Sequence, residues 1–168
     1  LFFGLATDSG FFRFLDNQSA DAFEAAARLV EAGASPRDVS AMIGSGRTFA
    51  SRKLIGRLLN RSTSYAGGRF VLTYMTAEER NQFGKENRDS DALYGLLLSI
   101  EECEVVAFVR EESPTSCKGS LRASGKVDVG EIATHLGGGG HQKAAGFLYP
   151  YPLEETIDRI VDLVLERL

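Results

Sequence analysis

Four consecutive glycines, Gly137 to Gly140 within "LGGGGHQKAAG" (Leu136 to Gly146), constrain this chain more than any other feature of its sequence. Glycine loses more conformational freedom on folding than any other residue, so a folded chain keeps such a run where the backbone must do what side chains forbid. The segment before the run is helical. Asp128 is a capping residue, and Val129, Ile132, Ala133 and Leu136 fall at i, i+3, i+4 and i+7. The segment after it, Ala144 to Tyr149, reads as a strand. The glycines are therefore expected to be a helix-to-strand connection, with Gly137 as the ordinary helix stop.

Two readings remain for Gly138, Gly139 and Gly140. One is a flexible connector. The other is an anion site, in which backbone N–H groups turn toward a common point and His141 adds a donor or a charge. The histidine at the end of the run, and the thin Ala144-Ala145-Gly146 beyond it, favour the anion site. Upstream, "KGSLRASG" adds a second clue. Alternation along a strand places Ser120 and Arg122 on one face, with Leu121 and Ala123 on the other. A lone arginine is ordinarily a solvated surface residue. Here the strand-helix-loop-strand order can bring its fork-shaped guanidinium to the glycines.

Elsewhere the chain alternates between helical and extended patterns. Leu1 to Ala6 reads as a short apolar strand, which places Asp8 in the turn past its carboxyl end, where α/β sheets gather ligands; an Asx turn is the plain alternative. A helix from Ser19 presents Phe23, Ala27 and Val30 before Gly33, and "ASPRD" starts another. "RTFASRKLIGRLLNR", Arg47 to Arg61, reads as a connecting helix. After it come a hairpin turning at Gly67-Gly68, a capping box from Thr76 to Glu79, a helix from Asp89 to Ile100 and strands at 104–110 and 117–124. A last helix carries Leu153, Ile157, Ile160, Val161 and Val164. His135, near the end of its helix, reads as a histidine favoured by the helix dipole.

The net charge of −4 argues against a broad electrostatic footprint for long nucleic acid, so any such partner should be short. Cys103 and Cys117 have neither metal-ligand spacing nor a disulfide framework, and are expected as free thiols. No apolar run approaches the roughly 20 residues of a membrane span, and no secretory signal pattern opens the chain, so a cytoplasmic protein with no membrane partner is expected.

The stretch "SLRASGKVDVGEIATHLGGGGHQKAAGF" resembles the DHH-associated substrate-binding domain of the DHH phosphoesterases, in the bacterial group that hydrolyses very short RNA and 3′-phosphoadenosine 5′-phosphate (pAp), often described as exopolyphosphatase-related. "LFFGLATDSGFFRF" and "SADAFEAAARLVEAGA" are similar to the end of the catalytic DHH domain that precedes it there. The resemblance implies an α/β fold in three parts: residues 1–46 as the end of a parallel-sheet DHH domain, 47–61 as a connecting helix, and 62–168 as a mixed-sheet DHH-associated domain. It implies that Asp8 is one ligand of a two-metal, usually manganese, centre. It further implies that Ser120, Arg122, the backbone of Gly138, Gly139 and Gly140, and His141 bind a short RNA or nucleotide by its terminal phosphate. The family's Asp-His-His motif and early metal ligands do not occur in this sequence, so the chain alone is expected to be an inactive part of a phosphodiesterase or phosphatase. An apolar opening segment would invite self-association, with a homodimer as the expected form. A cyclic dinucleotide phosphodiesterase is one alternative. A non-catalytic nucleic-acid module, as at the end of alanyl-tRNA synthetases, is another.

Overall fold

Strands Thr63–Tyr65 (β1), Phe70–Met75 (β2), Val105–Ser113 (β3), Ser116–Ala123 (β4), Gly139–His141 (β5) and Ala144–Tyr149 (β6) form one mixed sheet in the computed structural model, in the order β1-β2-β3-β4-β6-β5. Only β2 and β3 run parallel; every other neighbouring pair is antiparallel. The structure describes residues 1–13, 15–44, 47–84 and 89–168. These fall into two units, Leu1–Arg47 and Thr48–Leu168. Residue 46, where the first expected domain ends, lies outside the described residues.

The first unit consists of helices Phe2–Asp8 (α1), Ala20–Glu31 (α2) and Pro36–Gly44 (α3). The strand expected over Leu1 to Ala6 is therefore corrected to a helix, and Asp8 is the last residue of that helix rather than a turn after a strand. The reason is in the side chains. Leu1 to Ala6 contains no β-branched residue, and its buried positions, Phe2 and Ala6, lie four apart, a helical interval. Past Asp8 the chain holds Gly10, Phe11 and Phe12 at φ of 57°, 55° and 70°. Phe11 N–H donates to the Ala6 carbonyl (2.6 Å) and Phe12 N–H to Ser9 Oγ (3.1 Å), fixing this unusual turn. It sets the Phe12 ring against Phe23 of α2 at 5.3 Å.

In the second unit, Phe49–Asn60 (α4), Ala77–Phe83 (α5) and Ser90–Leu97 (α6) lie on one face of the sheet, and Val129–His135 (α7) and Leu153–Leu165 (α8) on the other. The strands sort their residues by alternation. Phe70, Leu72, Val105, Ala107, Val109, Leu121, Ala145 and Phe147 face α7 and α8. Val71, Met75, Val106 and Phe108 face α4 and α6 through Leu54, Leu58, Leu93 and Leu97. The connecting helix is thus packed into the second unit's core. Thr48 caps it by accepting from Ser51 N–H (3.0 Å), and Thr73 of β2 donates to its Leu58 carbonyl (2.6 Å). The capping box expected at Thr76 and Glu79 is present. Both cysteines are buried and free, and burial pushes both thiols up from their ordinary value. Among the described residues no helix is long and apolar enough to cross a membrane.

Candidate functional site

The glycine run is only partly a connection. Gly137 ends α7 at φ 75°, as expected, but Gly139, Gly140 and His141 form β5, an edge strand joined to β6 by a two-residue turn at Gln142-Lys143. The backbone is extended against β6, so the expected convergence of N–H groups on one point gives way to a shelf. Turn composition alone does not announce this hairpin. Its carbonyls are taken by other backbone: Ala123 N–H donates to Lys143 (3.0 Å) and Val129 N–H to Gln142 (3.1 Å).

Each glycine has its own reason. A Cβ on Gly138 would overlap the carbonyl oxygen of Gly146 and the backbone of Phe147, and one on Gly140 would meet the Ala145 Cα at 2.5 Å. These two are needed for close approach to β6. Gly139 is different, because a Cβ there would meet nothing within 4 Å. It lies on open surface.

Strand register decides what shares that surface. Arg122 of β4 pairs with Ala144 of β6, which pairs with His141 of β5; directly paired residues point to the same face, so the three form one row. With strands about 4.8 Å apart, Arg122 and His141 stand roughly 10 Å apart across the small Ala144. The next row is Ser120, Gly146 and Gly139. Among the described residues no helix lies over this part of the α4–α6 face beyond the edge of α6: His141 and Gly139 are exposed, and Ser120, Arg122, Ala144 and Gly146 half-buried. Ala144, with Gly146 and Gly139 one row along, forms a floor of small residues between the arginine and the histidine.

The electrostatics set Arg122 apart from its neighbours. Arg52 reaches Asp89 at 3.1 Å, Arg61 reaches Glu79 at 2.5 Å, Arg69 reaches Glu104 at 2.7 Å and Arg80 reaches Glu112 at 2.6 Å. Among the described residues no carboxylate pairs with Arg122. One Nη donates to the Leu121 carbonyl (3.0 Å), and the guanidinium lies 4.6 Å from the ring centre of Tyr94 on α6. Aromatic support orients the fork without neutralising it. Ser120 Oγ accepts from Arg110 Nη2 at 3.4 Å.

The sheet places Ser120, Arg122, Gly139 and His141 on one face, whereas Gly138 and Gly140 are turned to their close contact with β6. Tyr94, Arg110 and Lys118 border that face and are not among the residues expected from the sequence. Lys118 was within reach of the same alternation that selected Ser120 and Arg122; Arg110 needs the β3–β4 register, and Tyr94 has no local signal. His135 is bonded to the Glu131 carbonyl through Nδ1 (2.8 Å) at its helix end, as expected. Asp8 lies in the other unit, exposed at the end of α1. Among the described residues no three His, Cys, Asp or Glu side chains gather as a metal site.

The DHHA1 domain model matches residues 67–168, which is more than half of the chain and includes every sheet residue of the site. The chain belongs to the DHHA1 family. The bifunctional oligoribonuclease and PAP phosphatase NrnA of Thermus thermophilus is 31% identical over 166 residues, 98% of this chain and 49% of that protein. The A-adding tRNA nucleotidyltransferase of Aquifex aeolicus is 26% identical over 168 residues, 99% of this chain and 20% of its own length. The chain thus spans about half of the first relative and a fifth of the second. Among solved structures, an exopolyphosphatase-related protein from Bacteroides fragilis superposes with a TM-score of 0.83 at 23% identity, over 96% of this chain and 47% of that one. That likeness establishes the mixed-sheet α/β fold of the DHHA1 family for this chain.

Proposed function

We propose that this chain is the substrate-holding part of a metal-dependent phosphoesterase that hydrolyses short oligoribonucleotides, pAp, or both. The observation that carries the reading is the row Arg122–Ala144–His141, an unneutralised guanidinium and an imidazole facing each other across a floor of small residues. The terminal phosphate lies over Ala144. Arg122 donates from one side and His141 from the other, Ser120 offers its hydroxyl one row along, and bare Gly139 keeps the approach clear of side chains. Holding one end of a short substrate in this way fixes where its reacting phosphate sits, which converts binding energy into position.

Among the described residues no set of side chains by itself makes a metal centre. Asp8 stands at the carboxyl end of α1, where the helix dipole disfavours a carboxylate and a cation would be welcome, but it is one ligand and not a set. Manganese is the metal implied by the family resemblance. Two buried free thiols agree with a reducing, cytoplasmic setting. A homodimer through the apolar side chains exposed in the first unit, such as Phe3 and Phe23, is part of the same proposal.

The match to a tRNA nucleotidyltransferase along the whole chain favours a second reading, an RNA-binding module that serves other catalytic partners. Calorimetric titration separates the two. The chain is expected to bind a 5′-phosphorylated dinucleotide, to lose ten- to a hundredfold in Arg122→Ala or His141→Ala, and to lose little of any binding to the 5′-hydroxyl form. Equal losses on both forms would remove the terminal phosphate from this row. Preference for a tRNA 3′ end over the dinucleotide would establish the second reading.

A further inference from the structure

Two rows beyond Arg122 along β4, Lys118 pairs with Leu148 of β6 on the same sheet face. The pair borders a cavity of about 690 Å³ that also reaches Asp91 at the start of α6, Arg80 of α5, and Arg110 and Glu112 of β3. That volume is in the range of small-molecule sites. Part of the lining is engaged within the fold. Glu112 accepts from Arg80 through its side chain (2.6 Å) and its carbonyl (3.1 Å). Arg110 is buried, donates to Ser120 Oγ and lies 5.2 Å from the Phe108 ring centre.

Asp91, Lys118 and Leu148 remain. Among the described residues neither Asp91 nor Lys118 belongs to an ion pair, and Leu148 is 60% exposed. Each has a plain reason taken singly: the dipole of α6 favours Asp91 in its first turn, and single exposed lysines and leucines are ordinary. On one cavity they mean more. They do not describe an anion site, because the carboxylate would repel what the ammonium attracts. They suit a flat, uncharged group with hydrogen-bond donors and acceptors on its edge and apolar faces, which is the chemistry of a nucleobase.

We propose that this cavity takes the base of the second nucleotide of the short oligonucleotide whose end is held at Arg122 and His141, and that Asp91 selects bases carrying an amino group. It rests on the preceding reading of that row. Same-face positions along β4 and β6 are about 6.5 Å apart, an interval comparable with one nucleotide of an extended chain. The first nucleotide lies over the row of Ser120, Gly146 and Gly139, and the second arrives at Lys118 and Leu148. An ionised carboxylate only accepts hydrogen bonds, so Asp91 favours adenine, cytosine and guanine over uracil, whose one edge N–H lies between two carbonyls. Lys118 donates to an acceptor of the same base, and Leu148 covers its face.

Calorimetric titration of the chain with 5′-phosphorylated dinucleotides that differ only at the second position, as adenosine, cytidine, uridine or an abasic ribose, tests this. The amino bases are expected to bind about fivefold tighter than uridine, and uridine about threefold tighter than the abasic form. Asp91→Asn, whose amide both donates and accepts, is expected to bring the three bases within about twofold of one another. Leu148→Ser, at an exposed position, is expected to bring all three toward the abasic affinity. Arg159→Ala, exposed on α8, is expected to leave the series unchanged. Equal affinity for abasic and base-bearing ligands, or an amino-base preference that survives in Asp91→Asn, overturns the base subsite and leaves the terminal-phosphate reading standing. Unaltered affinity for the abasic ligand in Arg122→Ala, or no binding of any ligand by the unaltered chain, overturns that reading and the subsite with it.

Discussion

The two faces of the sheet are built on different principles. Toward α7 and α8, β2, β3, β4 and β6 contribute apolar side chains to one continuous core, and glycine occurs where two pieces of backbone press together. Toward α4–α6, packing covers β2 and β3, ion pairs fasten the helices, and among the described residues β4, β6 and β5 are covered on this face only where Tyr94 meets Arg122. A closed face makes the fold, and the open remainder of the other presents an arginine, a histidine and a lysine that pair with no carboxylate among the described residues. This contrast is what directs attention to Arg122, His141 and Lys118.

The glycines offer the sharpest way to break that contrast, because adjacent members of one run fall on opposite sides of it. Gly138→Ala forces a methyl into the Gly146 carbonyl and the Phe147 backbone, and is expected to cost about 3 kcal/mol or more, read as a large drop in melting temperature. Gly139→Val places a larger side chain on open surface of an edge strand, where β-branching is tolerated. Its stability is expected to change by less than about 1 kcal/mol, while binding of a 5′-phosphorylated dinucleotide falls tenfold or more. If Gly139→Val melts as low as Gly138→Ala, the run is structural throughout and the open shelf is not a site.

Acid should loosen the two faces unequally. Burial pushes the Glu79 carboxyl up, but hydrogen bonds from Arg61 and the Thr76 backbone, with the charges of Arg61 and Arg57, outweigh it and hold the group below its ordinary 4.5. A depressed folded value means that the stabilisation is fully present above about pH 4.5 and is lost as pH falls through the folded value. Glu79→Gln is expected to cost about 3 kcal/mol at neutral pH and to flatten the acid limb of the stability curve, since the carboxylate is nearly buried and its loss strands Arg61. Hydrogen exchange resolved by residue would show α4 and α5 opening in acid before α7 and α8. Simultaneous opening would show that the ion pairs do not distinguish the faces.

Much of this arrangement was legible in the sequence because it depends on local rules. Alternation through Ser120 and Arg122, the Thr76–Glu79 box, the α7 stripe and its Gly137 stop are each read within a few residues. The unread parts depend on contacts far apart in the chain. Gly139 to His141 becomes a strand because β6 stands beside it, and nothing in four glycines specifies extension over a loop. Arg110 joins Lys118 through a register set by the whole β3–β4 pair. The helix over Phe2 to Asp8 was missed for a different reason, since a short apolar run is compatible with either period and its β-branched content, not its hydrophobicity, was the deciding signal.

Tyr94 tests the junction of the two principles with the smallest change. Its ring belongs to the packed part of the α4–α6 face, lies under Arg122, and carries a buried hydroxyl without a hydrogen-bond partner among the described residues. If the ring is a platform, Tyr94→Phe keeps it and removes an unsatisfied polar group. Stability should then be unchanged or slightly higher, and affinity for a 5′-phosphorylated dinucleotide should stay within about twofold. Tyr94→Leu removes the face on which the guanidinium rests and should weaken that ligand about threefold to fivefold, with little effect on the 5′-hydroxyl form. Calorimetry on both variants with both ligands reads the difference. A Phe variant as weak as the Leu variant would transfer the role from the ring to the hydroxyl, and with it the boundary between the face that packs and the face that binds.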